Sequence, residues 1–216
     1  MEYREILLTY IDNCPYDEPI FIEEIKEYLK DYIKNNFDNV SKKFNVYINR
    51  LVKENILVQI YKGIYYKPLK GLFGYKKINL NKIIYKKYIK NEYIKGYYSG
   101  AYLFNKIGLT TQVPKDILIV TNECPNNNDY VNKYLGVTIR KPKLEINELN
   151  YKYLQLFDLL INKDKIKIEV DNEKEIIYNF IYENNLMMEK IFDYAKKVGN
   201  TKIILKLYEL GDETNE

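Results

Sequence analysis

A run of carboxylates in the C-terminal half has residue types that could bind a divalent metal. The residues are Asp158, Glu169, Asp171 and Glu173, with Lys165 and Lys167 among them. A metal-dependent nuclease needs at least two acidic ligands and a lysine around such an ion. However, the residue two positions after Glu169 is Asp171 and not a lysine, and such clusters are common in a chain with 30% charged residues. We therefore keep a metal-dependent nuclease only as an alternative and predict no metal ligands.

The chain contains no histidine, which excludes several enzyme classes. It has no Ser-His or Cys-His nucleophile pair and no histidine-ligated metal site, and the commonest general base is missing. The sequence also lacks a Gly-x-x-x-x-Gly-Lys phosphate loop, a Gly-x-Gly-x-x-Gly fingerprint and the Gly-Ser and Asp-x-Asp pattern of nucleotidyltransferases. Ser99 has no recognisable base. We predict that the protein is not an enzyme, has no catalytic residues and needs no cofactor.

Positive charge is concentrated in the middle of the chain. Residues 40–100 include 14 basic and 2 acidic residues, whereas residues 1–39 have a net charge of −6 and residues 101–216 one of −2. A segment of this kind is typical either of a solvated face or of a surface that binds a polyanion. The elements that carry the lysines decide between these two interpretations.

The first third of the chain has the pattern of three helices followed by a hairpin. Apolar residues recur at helical spacing in residues 3–13, in residues 22–33 and from residues 39–41 onward. Two short β-type runs follow, residues 56–61 and 64–68, and Lys62-Gly63 between them is a plausible tight turn. This order predicts a winged helix-turn-helix.

The third helix has an apolar face and a polar face. Phe44, Ile48 and Leu51 are predicted to be core, which leaves the polar face to solvent or to DNA. In a winged helix-turn-helix this helix enters the major groove, where Asn can bind adenine and Arg guanine, while the wing contacts the backbone or minor groove. The candidate DNA-binding residues are Ser41, Lys42, Lys43, Asn45, Asn49, Arg50 and Lys53 on the helix, and Tyr61, Lys62 and Lys67 on the wing.

The rest of the chain predicts an α/β domain with a helical end. After a linker, we predict helices over residues 80–90 and 97–107 and strands over residues 117–120 and 137–140. Four helical segments follow from Tyr151 onward. The predicted fold class is therefore α+β, with a winged helix-turn-helix DNA-binding domain at residues 1–70 and an effector domain at residues 71–216.

Three short motifs carry further expectations. Tyr65 and Tyr66 should point to opposite faces of a strand, one inward and one outward. Met187 and Met188 should fill the core. The stretch GLTTQVP (108–114) should end a helix at its glycine, and its Thr and Gln side chains should satisfy the backbone groups exposed there.

The sequence resembles a known family, the AbiE-type antitoxins of type IV toxin-antitoxin systems, which also occur as abortive-infection transcriptional regulators. The resemblance covers roughly residues 1–160. Its motifs are KGIYYKP (62–68), GYYSGAYLFNKIGLTTQVPKDILIVTN (96–122) and VTIRKP (137–142). It implies a repressor that binds double-stranded DNA at repeats in its own promoter. It also implies that the C-terminal domain neutralises a nucleotidyltransferase-like toxin without being an enzyme itself.

The expected protein is thus a DNA-binding antitoxin and repressor, with a stand-alone winged-helix regulator or a protein-interaction module as alternatives. No apolar stretch approaches the roughly 20 residues that span a membrane, and the N-terminus lacks a basic region followed by an apolar one. We therefore expect no membrane partner. Cys14 and Cys124 are too few and too far apart for a disulfide framework, so we expect reduced thiols in a cytoplasmic protein.

Overall fold

The computed structural model describes residues 3–32 and 37–211, with the side chains of all of these except residues 3, 31–32 and 37–43. The fold is mixed α+β, as the sequence predicts. The chain divides into two compact units, Met1–Ile83 and Ile84–Glu216. The sequence-based division at residue 70 assigned domains by function, and that assignment stays a prediction. In the described part of the chain, no helix is both long and apolar enough to cross a membrane.

The first unit begins with helices and ends in short antiparallel strands. Its elements are α1 (Tyr3–Asn13), β1 (Pro19–Phe21), α2 (Ile22–Tyr32), α3 (Phe37–Lys53), β2 (Val58–Tyr61) and β3 (Ile64–Tyr66). Asn55 follows α3 with a φ of 57°, and the N–H of Ile56 bonds the carbonyl of Leu51 at 3.0 Å, which closes the end of this helix. Gly63 has a φ of 79° between β2 and β3, as expected for the predicted tight turn.

Three strands of the first unit form an antiparallel sheet in the order β1-β3-β2, and all residues of the central strand β3 are buried. The predicted core residues Phe44, Ile48 and Leu51 are buried, which confirms that expectation. Tyr65 and Tyr66 are both buried at 5% exposure, so the prediction that one faces outward is wrong. Tyr65 packs in the helical core. The loop after α1 lies beside the end of β3, where the Asp17 N–H donates to the carbonyl of Lys67 at 3.2 Å.

A second, smaller hairpin occupies the segment that the sequence analysis treats as a linker. Its strands are β4 (Lys70–Gly71) and β5 (Gly74–Tyr75), paired in antiparallel register. Gly74 has a φ of 106°, a conformation that L side chains rarely adopt, so glycine suits the return of the chain at this point. The tip of the hairpin is the apolar pair Leu72 and Phe73.

The second unit combines a four-stranded sheet with helices. In chain order its elements are α4 (Leu80–Ile84, which begins in the first unit), a one-turn π-helix (Tyr85–Ile89), β6 (Gly96–Ser99), α5 (Gly100–Lys106), β7 (Ile117–Thr121), β8 (Tyr130–Asn132), β9 (Val137–Arg140), α6 (Tyr151–Asn162), α7 (Glu173–Glu183), α8 (Met188–Val198) and α9 (Thr201–Gly211). The strand order is β6-β7-β9-β8, and only the β7/β9 pair in this sheet is parallel.

The predicted helix over residues 97–107 is wrong in its first turn. Residues 96–99 form β6, which pairs antiparallel with β7, and α5 begins at Gly100, whose φ of 60° interrupts a continuous helix. At Gly96 an added Cβ would lie 2.0 Å from the carbonyl oxygen of Tyr88, so only glycine allows the backbone to approach this closely. The predicted strands over residues 117–120 and 137–140 are confirmed as β7 and β9.

The four helical segments after Tyr151 are also confirmed as α6 to α9. Their buried side chains share one apolar core with residues of β6, α5 and β7. Met187 and Met188 are 54% and 55% exposed, so the expectation that they fill this core is wrong. They lie at the start of α8, where Leu186 is the buried residue. Cys14 and Cys124 are free thiols, as expected.

The GLTTQVP stretch binds the carboxylate of Glu169, a residue far away in sequence. Gly108, with a φ of 85°, ends α5 as predicted, and the N–H of Leu109 bonds the carbonyl of Phe104 at 2.9 Å. The predicted role of the Thr and Gln side chains is largely wrong, because most of their bonds go to Glu169. Its carboxylate accepts bonds from Thr110 Oγ1 at 3.1 Å, from Thr111 N and Oγ1 at 3.0 and 2.7 Å, and from Gln112 Nε2 at 2.7 Å.

These bonds favour the charged form of Glu169. The Thr111 hydroxyl, followed by the Gln112 amide, lowers the pKa of the carboxyl to about 2 from its ordinary value of 4.5. The Glu169 N–H also bonds the carbonyl of Leu109 at 3.1 Å. The segment between α6 and α7 is therefore fastened to the loop between α5 and β7.

Replacing Glu169 by Gln tests this attachment. Because the folded-state pKa lies below the unfolded value, the carboxylate stabilises the fold above about pH 4.5, and this contribution is lost as the pH falls towards 2. We expect Glu169→Gln to lower the thermal midpoint at pH 7, with a difference from wild type that shrinks between about pH 5 and pH 2. The matched control is Asp171→Asn, two residues away. Equal midpoints for the two variants at pH 7 would contradict the assignment.

Candidate nucleic-acid interface

The outer face of α3 presents side chains that can bind base edges. Its exposed polar residues are Asn45, Asn49, Arg50 and Lys53. The buried Phe44, Ile48 and Leu51 fix the rotation of the helix, so the polar face must point to solvent. The guanidinium carbon of Arg50 lies 5.8 Å from the centre of the Tyr47 ring, an arrangement that supports the side chain without using its hydrogen-bond donors.

The candidates Ser41, Lys42 and Lys43 are only partly described. Their backbone belongs to α3, which begins at Phe37, a few residues before the predicted start. Their side chains lie outside the described residues. The DNA-binding assignment of these three residues therefore stays a prediction from the sequence.

The turn between β2 and β3 carries the predicted wing residues Tyr61 and Lys62. Tyr61 is half exposed, and Lys62 is exposed. The Gln59 side-chain amide donates to the carbonyl of Tyr61 at 3.4 Å, beside the turn. In the described part of the chain Lys62 has no acidic partner, so its charge is available to an anion.

Lys67 does not fit its predicted role on the wing. It is only 9% exposed, and its ammonium group donates to the carbonyls of Ile11 and Asp12 at 3.2 and 3.0 Å. The same group lies 4.3 Å from the centre of the Tyr16 ring. Lys67 therefore neutralises the carbonyl end of α1, where a cation is favoured by the helix dipole, and holds that end against β3.

The β4–β5 hairpin is a feature that the sequence analysis missed. Leu72 and Phe73 at its tip are completely exposed. Lys70 and Lys77 beside them have no ion-pair partner among the residues that the structure describes, whereas Lys76 pairs with Asp17 at 3.0 Å. The available signal was the pattern KGLFGYKK (70–77), in which a glycine stands on each side of two apolar residues and lysines occur near both ends.

The lysines near the end of the first unit have no acidic residue among them in sequence. Residues 55–83, which contain both hairpins, include six lysines and no acidic residue. The exposed amide and guanidinium groups of α3 immediately precede this segment. The first unit therefore brings together, in consecutive elements, groups that can bind base edges and groups that can bind phosphates.

Three of the four carboxylates considered for a nuclease have separate partners. Asp158 accepts a bond from the Ser99 hydroxyl at 2.8 Å. Glu169 is held by the GLTTQVP stretch, and Glu173 pairs with Lys163 at 2.8 Å. Within residues 3–32 and 37–211, no group of three or more acidic or cysteine side chains is placed to hold a metal ion. Asp158, Glu169 and Glu173 are thus each bonded to other residues of the second unit.

One protein-family model matches this chain. It is described as "Family of unknown function (DUF6088)" and matches residues 24–203. The match covers more than half of the chain and includes parts of both units. No curated protein matches the sequence.

Proposed function

We propose that this chain, which belongs to the DUF6088 family of unknown function, is a DNA-binding antitoxin that represses its own operon and neutralises a nucleotidyltransferase-like toxin. The observation that carries the DNA-binding part is the exposed Asn and Arg face of α3, followed by an acid-free segment with six lysines. The antitoxin part rests on the sequence resemblance. In this proposal repression depends on DNA binding, neutralisation is assigned to the C-terminal domain with or without direct contact with the toxin, and the protein has no enzymatic activity of its own.

The topology of the first unit supports a winged helix-turn-helix. Its order is helix, strand, two helices and a hairpin, and β1 joins that hairpin in a three-stranded antiparallel sheet. In this class of fold the third helix enters the major groove, and the hairpin forms the wing. Here these elements are α3 and the β2–β3 turn. The fold thus gives a reason why the polar face of α3 is exposed and is followed by lysines.

We assign recognition of the DNA sequence and binding of the DNA phosphates to different residues. Arg50 can donate two bonds to the major-groove edge of guanine, and Asn45 or Asn49 can pair with adenine. Lys62 binds a phosphate, which positions the protein without distinguishing sequences. The polar face of α3 therefore determines specificity, and the lysines of the hairpins supply affinity that depends on salt.

The β4–β5 hairpin adds a third kind of contact. Leu72 and Phe73 are apolar and fully exposed, while Lys70 and Lys77 at the base of the hairpin are complementary to phosphates. Proteins that bind the minor groove often insert apolar side chains between base steps while cations contact the backbone. We assign the hairpin tip to such a wedge against the minor groove of the operator.

The proposal is tested first by fluorescence-anisotropy titration of the full chain with DNA from upstream of its own gene and with scrambled DNA, at two salt concentrations. Preference for the upstream DNA that persists at the higher salt supports a sequence-specific repressor. Equal binding that disappears with salt would leave only a polyanion surface. No binding at all would return the interaction module to first place.

Variants of α3 and the wing should have different effects in this titration. Asn49→Ala and Arg50→Ala should each weaken upstream DNA relative to scrambled DNA by about 1–3 kcal/mol, because each removes a base contact. Lys62→Ala should weaken both DNAs equally and reduce the slope of log affinity against log salt by about 1. Lys190→Ala, an exposed lysine of α8, is the control for lost charge. Unchanged operator preference in both α3 variants would show that α3 does not read the sequence.

The hairpin wedge predicts a loss of affinity that salt does not explain. The double variant Leu72→Ser, Phe73→Ser should bind upstream DNA at least about a hundredfold more weakly, since burying each large apolar side chain is worth about 1.5–3 kcal/mol and two are lost. The salt slope should stay the same, because no charge is lost. Leu149→Ser, at a similarly exposed leucine of the second unit, is the control. An affinity equal to wild type would rule out the wedge.

The antitoxin part is tested by co-expression with the neighbouring nucleotidyltransferase-like gene. Growth inhibited by that gene should recover when this chain is expressed from an unrelated promoter. Arg50→Ala should restore growth equally well, because the proposal assigns neutralisation to the C-terminal domain and not to the DNA-reading helix. Failure of the wild type to restore growth, or absence of such a neighbouring gene, would leave a stand-alone regulator.

A further inference from the structure

A pocket of about 270 Å³ lies beside the one-turn π-helix of the second unit, and Tyr85 and Ile89 of that helix form part of its wall. A single turn of π-helix is rare in proteins and is frequently found at functional sites. Tyr85 is 47% exposed and Lys106 is exposed, so solvent reaches the wall of this pocket. Polar side chains of the wall come also from β6, α5 and α6: Tyr98, Lys106, Tyr151, Lys152 and Gln155.

Three tyrosine hydroxyls of the wall have no hydrogen bond within residues 3–32 and 37–211. They belong to Tyr85, Tyr98 and Tyr151. Burial raises the pKa of Tyr98 to about 12, and the phenols of Tyr102 and Tyr85 act in the same direction. Burial and the Tyr85 phenol also raise the pKa of Tyr151. Because the Tyr85 phenol affects both of the others, the three hydroxyls are close enough to donate to one ligand.

Two lysines add positive charge that has no ion-pair partner in the described part of the chain. The Lys152 ammonium donates to Oε1 of Gln155 at 3.3 Å, and Nε2 of this buried amide donates to the carbonyl of Tyr98 at 2.8 Å, which fixes its orientation. The Lys106 ammonium lies 5.4 Å from the centre of the Tyr98 ring. Burial, and then the charge of Lys106, lower the pKa of Lys152. The two ammonium groups are thus near enough to repel each other.

No acidic side chain of the described residues lines this pocket. A third lysine of the wall, Lys90, acts on the carboxylate of Glu148 outside it. The N–H of Ile94 bonds Glu148 at 2.8 Å and lowers the pKa of its carboxyl, and the charge of Lys90 acts in the same direction. The charge of Lys90 is therefore offset, whereas those of Lys106 and Lys152 are not.

We propose that this pocket binds the phosphate group of a small phosphate monoester. Lys106 and Lys152 balance its charge, which is about −1.5 to −2 near neutral pH. The hydroxyl donors to its oxygens are those of Tyr85, Tyr98 and Tyr151. A single carboxylate would leave one of the two lysines without a counter-charge. Since a water molecule occupies about 30 Å³ in the liquid, the pocket has the volume of about nine waters and accommodates a small organic group besides the phosphate.

Isothermal titration calorimetry of the full chain with methyl phosphate at about pH 7.5 tests the charge of the ligand. Methyl sulfate has the same shape but only one negative charge, so it should bind at least about tenfold more weakly. Lys106→Met and Lys152→Met should each weaken methyl phosphate binding about ten- to a hundredfold, because each removes a charged hydrogen bond and keeps an apolar stem. Lys190→Met, at the exposed lysine of α8, is the matched control and should bind like wild type.

Tyr85→Phe tests the hydroxyl donors, because it removes the oxygen and keeps the ring. We expect methyl phosphate to bind this variant about three- to tenfold more weakly, the loss of one neutral hydrogen bond. Tyr182→Phe, at an 83% exposed tyrosine of α7, is the matched control. Thermal unfolding of each variant shows whether it is folded. If Lys152→Met does not fold, Lys106→Met and Tyr85→Phe still decide the outcome.

Four results would overturn the proposal: no saturable binding of methyl phosphate, equal affinity for methyl sulfate, wild-type affinity in both lysine variants, or binding of inorganic phosphate with exclusion of methyl phosphate. The last result would assign the pocket to the free ion. The pocket and the α3 face belong to separate units, so both lysine variants should bind DNA like Lys190→Met in the anisotropy titration. Loss of DNA binding in both, without methyl phosphate binding in wild type, would assign the two lysines to DNA instead.

Discussion

Burial of one apolar stripe determines how the first unit presents its polar groups. Phe44, Ile48 and Leu51 are each at most 2% exposed, and full burial of such side chains contributes about 1.5–3 kcal/mol apiece. Rotation of α3 by even a quarter turn would expose part of this stripe. The position of Asn49 and Arg50 in solvent is therefore a consequence of core packing on the opposite face of α3.

In the second unit the corresponding constraint is the close approach of backbone at β6. Gly96 lets the strand pass against the carbonyl of Tyr88, and Gly100 turns the chain from β6 into α5. This turn places Ser99 where its hydroxyl reaches Asp158 of α6, 59 residues later in the chain. The sheet, the first helix after it and the buried carboxylate thus depend on two glycines in the stretch GYYSG (96–100).

Sequence patterns predicted the longer helices well because burial repeats over many turns. The helix α1 has its predicted bounds, and α6 to α9 are the four helical segments predicted after Tyr151. The strands β1 and β8 have three residues each, too few to establish a period, and neither was predicted. The prediction of a helix over Tyr97–Ile107 was wrong in its first turn because the apolar residues of β6 and α5 together have helical spacing. Only their backbone pairing and the φ of Gly100 separate them.

The candidate site was predictable only where local sequence determines exposure. The exposed residues of α3 follow from helical periodicity, and the exposed residues Tyr61 and Lys62 follow from the Lys62-Gly63 turn. The burial of Lys67 depends on contacts with residues more than 50 positions away in sequence. The hydrogen bonds from GLTTQVP to Glu169 also join residues that are this far apart in sequence. A single sequence contains no periodic signal for such contacts.

The contacts of individual lysines show why the net charge of a segment overstates how many of its lysines are available to a phosphate. Of the six lysines in residues 55–83, Lys67 donates hydrogen bonds to carbonyls at the end of α1. Lys76 and Lys82 already have acidic partners, Asp17 and Glu18, at 3.0 and 2.6 Å. Each such pair must be broken before its lysine can release a counterion from DNA. In the DNA complex that we propose, the salt dependence of binding should therefore follow the unpaired lysines of the two hairpins and not the net charge of the segment.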